Sequence, residues 1–254
     1  MNELNPTAGP IPPAIPTPPR LSKPVPLGED PADREPIPGP LAAVEAILRA
    51  PRRVMYRLRQ PGSGKLITSM LLVSILCSLI YGLVVGTFSM GTQLWAAPVK
   101  LASGLLISAL ICLPSLYIFT CLSGSEAKLS EIFGLVTGLL LLMTILLIGF
   151  APVAWLFSQS TNSVVWMGVL HLIFWLISTM FGLKFLDAGF SHYKARTSAG
   201  LYTWVIVFIL VAVQMTTALR PIVGKADSFF PTEKKFFLSH WNDSLNATAA
   251  PVRP

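Results

Sequence analysis

The chain has 254 residues, of which 53% are hydrophobic and only 12% are charged, and its net charge is +7. Soluble domains average about 25% charged residues, so this composition argues against an ordinary soluble globular protein. The charges are clustered, and they leave uncharged apolar stretches of at least about 18 residues, the length of a membrane-spanning helix. The sequence therefore predicts an all-α, polytopic helical membrane bundle.

Residues 1–40 contain 13 of the 22 prolines. Such a composition cannot form a packed core and favours extended conformers, so we predict a disordered proline-rich tail. A docking ligand for a proline-recognising partner is the alternative. The first apolar run begins only near residue 66, which argues against a cleaved signal peptide.

Residues 41–60 are predicted to form a basic amphipathic helix that lies on the membrane surface. Pro51 is expected to kink or restart the helix. Apolar residues recur along one stripe of it, namely Leu41, Val44, Ile47, Leu48, Val54, Met55 and Leu58. Basic residues occupy the other faces, which suits an anionic cytoplasmic leaflet better than nucleic acid, so we expect no nucleic-acid partner. The predicted membrane-surface contacts are Arg49, Arg52, Arg53, Arg57, Arg59 and Lys65.

The run Gly62-Ser-Gly-Lys65 resembles the end of a phosphate-binding loop, but two required positions differ. Arg59 occupies the place of the first glycine, and Leu66 occupies the place of the Mg²⁺-binding hydroxyl. We therefore predict no nucleotide partner. The glycines indicate instead a flexible break between the surface helix and the first membrane helix.

A transmembrane domain of about five spans is predicted over residues 66–219. The uncharged stretch 132–183 is long enough for two spans, with a polar hairpin at residues 158–163 between them. Residues 220–254 are predicted to form a tail with a short amphipathic segment. The predicted spans are residues 66–88, 99–122, 132–157, 164–185 and 199–219.

The distribution of basic residues predicts the orientation of these spans. With the amino terminus in the cytoplasm, 13 of the 19 Lys and Arg residues lie on the inner side, so we expect the amino terminus inside and the carboxyl terminus on the opposite side. Lys100 is assigned to the outer side in this count.

Two Gly-x-x-x-Gly pairs, Gly82 with Gly86 and Gly134 with Gly138, are predicted to let helix backbones approach closely. Pro114 and Pro152 are expected to kink the second and third spans.

Polar groups at membrane depth are few. His171 and Gln214 are candidates for hydrogen bonds between helices, and Lys184 can pair with Asp187 on one helix face. The three cysteines have no Cys-x-x-Cys spacing, and the sequence has no catalytic triad order, paired carboxylates or metal-ligand cluster. We therefore expect no enzymatic activity, no metal site and no cofactor.

The arrangement resembles the Yip-domain family of Rab/Ypt-interacting membrane proteins and their bacterial relatives. The likeness lies in the five close-set spans after a polar, proline-containing amino terminus, in the basic segment Ile47-Leu-Arg-Ala-Pro-Arg-Arg-Val-Met-Tyr-Arg-Leu58, and in Gln93-Leu-Trp-Ala-Ala-Pro98, which is loosely similar to the family's Leu-Tyr-Gly-Pro signature. The resemblance implies a non-enzymatic role in membrane organisation.

Three functions follow as hypotheses. The first is a non-catalytic scaffold or accessory subunit that organises a membrane assembly through membrane-protein partners or self-association. The second is a small transporter or channel whose path His171 and Gln214 would line. The third is a pigment- or haem-bearing subunit in which His171 would be the ligand.

Overall fold

The computed structural model describes residues 26–161, 163–191 and 199–219. The predicted disorder of residues 1–25 and the predicted amphipathic tail after residue 219 lie outside this part of the chain. The described residues form helices and turns without a strand, which confirms the predicted all-α class. The helices are α1 (Gly39–Arg49), α2 (Pro51–Leu58), α3 (Gly64–Thr87), α4 (Gln93–Leu122), α5 (Leu129–Ser160), α6 (Val164–Ser191) and α7 (Ala199–Ala218).

Four helices, α3 to α6, are long and apolar enough to cross a membrane. The chain is therefore a multi-pass integral membrane protein. The fifth expected span, α7, has an apolar stretch of 17 residues, Gly200–Thr216, which is shorter than the other four. A fifth crossing stays a prediction, and so does the orientation of the termini.

Helix α5 is the centre of the bundle. It packs against both α3 and α6, while α4 packs against α3, and α7 packs against α4. In the most apolar 18-residue segment of each helix, 67% of α5 is buried inside the protein, compared with 28% of α4 and 22% of α6. Its inward residues are aliphatic and sulfur-containing side chains that are almost fully buried: Ile132, Leu135, Leu139, Leu141 and Met143. The outward faces of α4 and α6 carry the exposed apolar surface.

The amino-terminal helices cover one end of this bundle. Pro51 separates α1 from α2, as expected for a residue that cannot continue a helix. Both helices bury apolar side chains against the bundle, with Ile47, Val54, Met55 and Leu58 at most 2% exposed. The predicted apolar stripe is thus divided: these four residues face protein, whereas Leu41 is 84% exposed.

Residues 26–38 form an ordered strap on α2, although the sequence predicted disorder up to residue 40. Asp30 accepts a hydrogen bond from the Ala32 backbone and starts a 3₁₀ turn at Pro31–Arg34. The Gly28 backbone N–H donates to Asp33 at 3.0 Å, and Gly28 has a φ of +89°, which glycine adopts without strain. The prediction of disorder was based on proline content alone. The structure shows that two ion pairs, described below, hold the strap on α2.

Candidate functional site

The membrane helices are joined by a pair of polar side chains at one depth. The Tyr81 hydroxyl lies 2.8 Å from His171 Nδ1, and the two rings meet edge to face with centroids 5.7 Å apart. Tyr81 precedes the end of α3 by six residues and His171 follows the start of α6 by seven, so each lies about 10 Å inside its helix end at 1.5 Å per residue. The predicted polar contact of His171 is therefore located between α6 and α3.

Other interior hydroxyls bond mainly to helix backbones. Thr144 Oγ1 lies 3.4 Å from Ser74 Oγ on α3 and also donates to the Leu140 carbonyl at 2.9 Å. Ser108 and Thr120 donate to the carbonyls four residues earlier in α4. Such bonds satisfy a hydroxyl in an environment without water.

Among the described residues, four buried polar side-chain atoms make no hydrogen bond. They are Gln93 Oε1, His171 Nε2, Ser178 Oγ and Thr179 Oγ1. Three of the four belong to α6, and Ser178 follows His171 by seven residues, so these two lie on the same helix face two turns apart. This face is where α6 could bind water or a small polar molecule.

Helix α7 is attached to α4 near the predicted kink. The indole N–H of Trp204 donates to the Cys112 carbonyl at 2.8 Å, and Trp204 also stacks on Phe208. Ser115 donates to the same carbonyl at 2.8 Å, one residue after Pro114. Pro114 removes the backbone bond to the Leu110 carbonyl, four residues earlier, so the bonds to the Cys112 carbonyl attach α7 beside the proline and do not replace the bond that it removes.

Gln214 and His171 lie on different helices. Gln214 lies on α7, which packs against α4, and its side chain is partly exposed and makes an interaction of its own. The two residues suggested as the lining of one path therefore belong to different helix contacts.

Lys100 lies deeper in the protein than the sequence predicted. It is 1% exposed, although the charge count assigned it to the outer side. The second span was predicted to begin at Val99, whereas α4 begins at Gln93 and includes Pro98, which places Lys100 two turns inside the helix. The sequence contained a sign of this longer helix, because residues 94–98 are apolar and directly precede Val99 and Lys100.

The two glycine pairs occupy different environments. A Cβ at Gly82 would lie 2.9 Å from the Pro98 nitrogen and closer still to Pro98 Cα, and one at Gly86 would lie 2.7 Å from the Gln93 carbonyl oxygen. These glycines bring the α3 and α4 backbones together. A Cβ at Gly134 or Gly138 would instead meet side chains, Leu58 Cδ2 and Phe185 Cε1, each at 2.6 Å.

The basic residues predicted to contact the membrane surface have three kinds of environment. Arg52 forms an ion pair with the buried Asp33 at 3.0 Å, and Arg53 forms one with Glu35 at 2.9 Å and donates to the Pro36 carbonyl. Arg49 pairs with Glu45 on the same helix, at 3.5 Å and in an exposed position. Of the remaining three, Arg57 and Lys65 are exposed, whereas Arg59 is partly buried and has an interaction partner.

Exposed tryptophans surround the end of the bundle opposite the cap helices α1 and α2. Trp95 and Trp166 follow the starts of α4 and α6 by two residues, and Trp155 precedes the end of α5 by five. All three are at least half exposed, with Trp95 at 81%. Tryptophan is enriched at membrane–water interfaces, so this belt and the basic cap fit the two boundaries of the membrane.

In the described residues, no three His, Cys, Asp or Glu side chains lie close enough together to hold a metal ion. Comparison with protein-family models, curated proteins and solved structures yields no match. The resemblance to the Yip-domain family therefore stays a prediction.

Proposed function

We propose that this chain is a non-catalytic scaffold or accessory subunit that organises a membrane protein assembly. The observation that carries the proposal is the use of polar side chains inside the bundle. Tyr81 with His171, Ser74 with Thr144, and Trp204 with the Cys112 carbonyl each join two helices. Polar side chains that bond one helix to another fix the arrangement of the helices, and a scaffold requires such a fixed shape. The proposed Yip-like role in membrane organisation agrees with this use.

The proposed orientation places the cap helices in the cytoplasm and the tryptophan belt at the opposite boundary. The excess of basic residues on the cap side supports this orientation. The outward faces of α4 and α6 would then meet lipid or the helices of partner proteins.

In-membrane photocrosslinking tests the scaffold role. A photoreactive residue is introduced in turn at Leu110 and Leu176, which face outward on α4 and α6, and at the buried Leu139 as the matched control. The proposal predicts a protein adduct of one defined mass from at least one outward position and none from Leu139. Lipid adducts alone from both outward positions would contradict it.

A small transporter or channel is the second candidate, and the unbonded polar atoms of α6 favour it. His171 Nε2, Ser178 Oγ and Thr179 Oγ1 are buried donors or acceptors that a passing solute or water could satisfy. Flux into proteoliposomes that is lost with Ser178→Ala but retained with the exposed Ser191→Ala would establish this function. The haem- or pigment-bearing alternative predicts a visible absorbance band of the purified protein that disappears with His171→Leu.

A further inference from the structure

The basic residues at the cap helices differ in whether an acidic residue neutralises them. Arg52 and Arg53 face the strap, where Asp33 and Glu35 neutralise them. Arg57 and Lys65 are exposed and form no ion pair within the residues that the structure describes. The sequence offers no acidic residue between Glu45 and Glu126 that could neutralise them locally.

The fold brings Arg57 and Lys65 to one corner of the bundle. Leu58, at the end of α2, and Ile67, in the first turn of α3, both contact Gly134 on α5: Leu58 Cδ2 would lie 2.6 Å and Ile67 Cδ1 3.3 Å from a Cβ there. Arg57 precedes Leu58 near the end of α2, and Lys65 is the second residue of α3, so both cations belong to the two helix ends that meet at Gly134 and that the short segment 59–63 joins.

The charged groups of α5 at this corner do not cancel the two cations. Glu131 lies one turn before Gly134 and accepts a hydrogen bond from the Lys128 backbone N–H at 3.2 Å, which engages its carboxylate at the start of α5. The Lys128 side chain is itself exposed and positive. The corner therefore has an excess of positive charge.

The level of this corner indicates what binds there. Lys65 is the second residue of α3, a helix of membrane-spanning length and composition, so its ammonium group lies where apolar helix meets polar headgroup. Arginine and lysine at this level bind lipid phosphate, and each basic group near an anionic surface contributes about 1 kcal/mol.

We propose that Arg57 and Lys65 bind the phosphate of an anionic phospholipid in the leaflet on the side of the cap helices, and that Arg52 and Arg53 hold the strap instead. The inference rests on the membrane placement in the proposed function, but it does not depend on the recruitment of partner proteins.

Lipid titration of the full chain tests the proposal. The protein is purified in neutral detergent, and phosphatidylglycerol or phosphatidylcholine is added while native mass spectrometry counts the bound lipids. Arg57→Gln combined with Lys65→Gln should weaken phosphatidylglycerol binding about 30-fold, which corresponds to two groups of about 1 kcal/mol each. Arg52→Gln combined with Arg53→Gln removes the same charge and should leave this affinity unchanged.

Limited proteolysis supplies the second readout. Arg52→Gln with Arg53→Gln should accelerate cleavage within residues 26–38, whereas Arg57→Gln with Lys65→Gln should not. If the first pair does not fold, Arg49→Gln, an exposed cation of α1, serves as the control with unchanged lipid binding.

Three results would overturn the proposal: equal loss of lipid affinity in both pairs, unchanged affinity in the Arg57 and Lys65 pair, or displacement of the lipid by a short oligonucleotide at equal concentration. The mass spectrum also records co-purified proteins, so failure of the lipid site and failure of the scaffold role are distinguished.

Discussion

Substitution of Gly82 by alanine tests the closest helix contact in the bundle. An added Cβ would lie 2.9 Å from the Pro98 nitrogen, 3.2 Å from the Ala97 carbonyl oxygen and nearer still to Pro98 Cα. All three atoms belong to the α4 backbone, which cannot rotate away as a side chain can. Non-bonded heavy atoms prefer about 3.5–4.0 Å, so α3 and α4 must separate to admit the methyl group.

The expected cost follows from two opposing effects. Overpacking of a close contact costs about 1–3 kcal/mol, and a backbone clash belongs at the upper end of this range. Replacing glycine by alanine inside a helix stabilises the helix by up to about 1 kcal/mol. We therefore expect Gly82→Ala to destabilise the protein by about 2 kcal/mol, which lowers the Tm by roughly 4–8 °C for a chain of this size.

Gly149 is the matched control, because a Cβ there meets nothing within 4 Å. Gly149→Ala retains only the helix-propensity gain and should leave the Tm unchanged or slightly raised. Thermal unfolding of both variants in the same mild detergent, followed by intrinsic tryptophan fluorescence, measures the difference. Equal Tm values for the two variants would refute the reasoning that α3 and α4 meet backbone to backbone at Gly82.

Three further predictions concern single contacts. Tyr81→Phe should cost about 0.6 kcal/mol, and at most about 1.7, with the coupling to His171 measured in a double-mutant cycle; no coupling would show that the two side chains do not bond. Trp204→Phe should cost about 1 kcal/mol through loss of the bond to the Cys112 carbonyl, and protease cleavage after α7 should become faster, whereas unchanged cleavage would count against this attachment. In Gly138→Ala the nearest neighbours of the added methyl group are side-chain atoms of Phe185 and Ile47 and not backbone, so the Tm of this variant should fall less than that of Gly82→Ala, and the reverse order would contradict the contacts described.

The membrane helices were predictable because the physics that defines them is local in sequence. A run of apolar residues between charges must be helical in a bilayer, and the predicted spans 66–88 and 164–185 begin within two residues of α3 and α6. The ends were less accurate where a charge lies inside a helix. The second span was predicted to begin at Val99, beside Lys100, yet α4 begins six residues earlier, at Gln93.

The candidate site was predictable in its residues but not in its pairings. His171 was identified as the histidine at membrane depth, whereas its partner Tyr81 could not be named, because the sequence does not specify which helices are neighbours. The same limit applies to the arginines of the cap helices. The sequence shows their charge, but only the fold shows which of them are paired. Arg52 forms an ion pair with Asp33, whereas Arg57 is exposed.

The mass of the native particle tests the central claim, a membrane scaffold, most directly. The protein is extracted from its own membrane in a nanodisc-forming polymer, without detergent, and weighed by native mass spectrometry after release. The account predicts a particle in which the 27.5 kDa chain is joined at constant stoichiometry by further copies or by another membrane protein. A single 27.5 kDa chain with lipid alone, in every preparation, would contradict it.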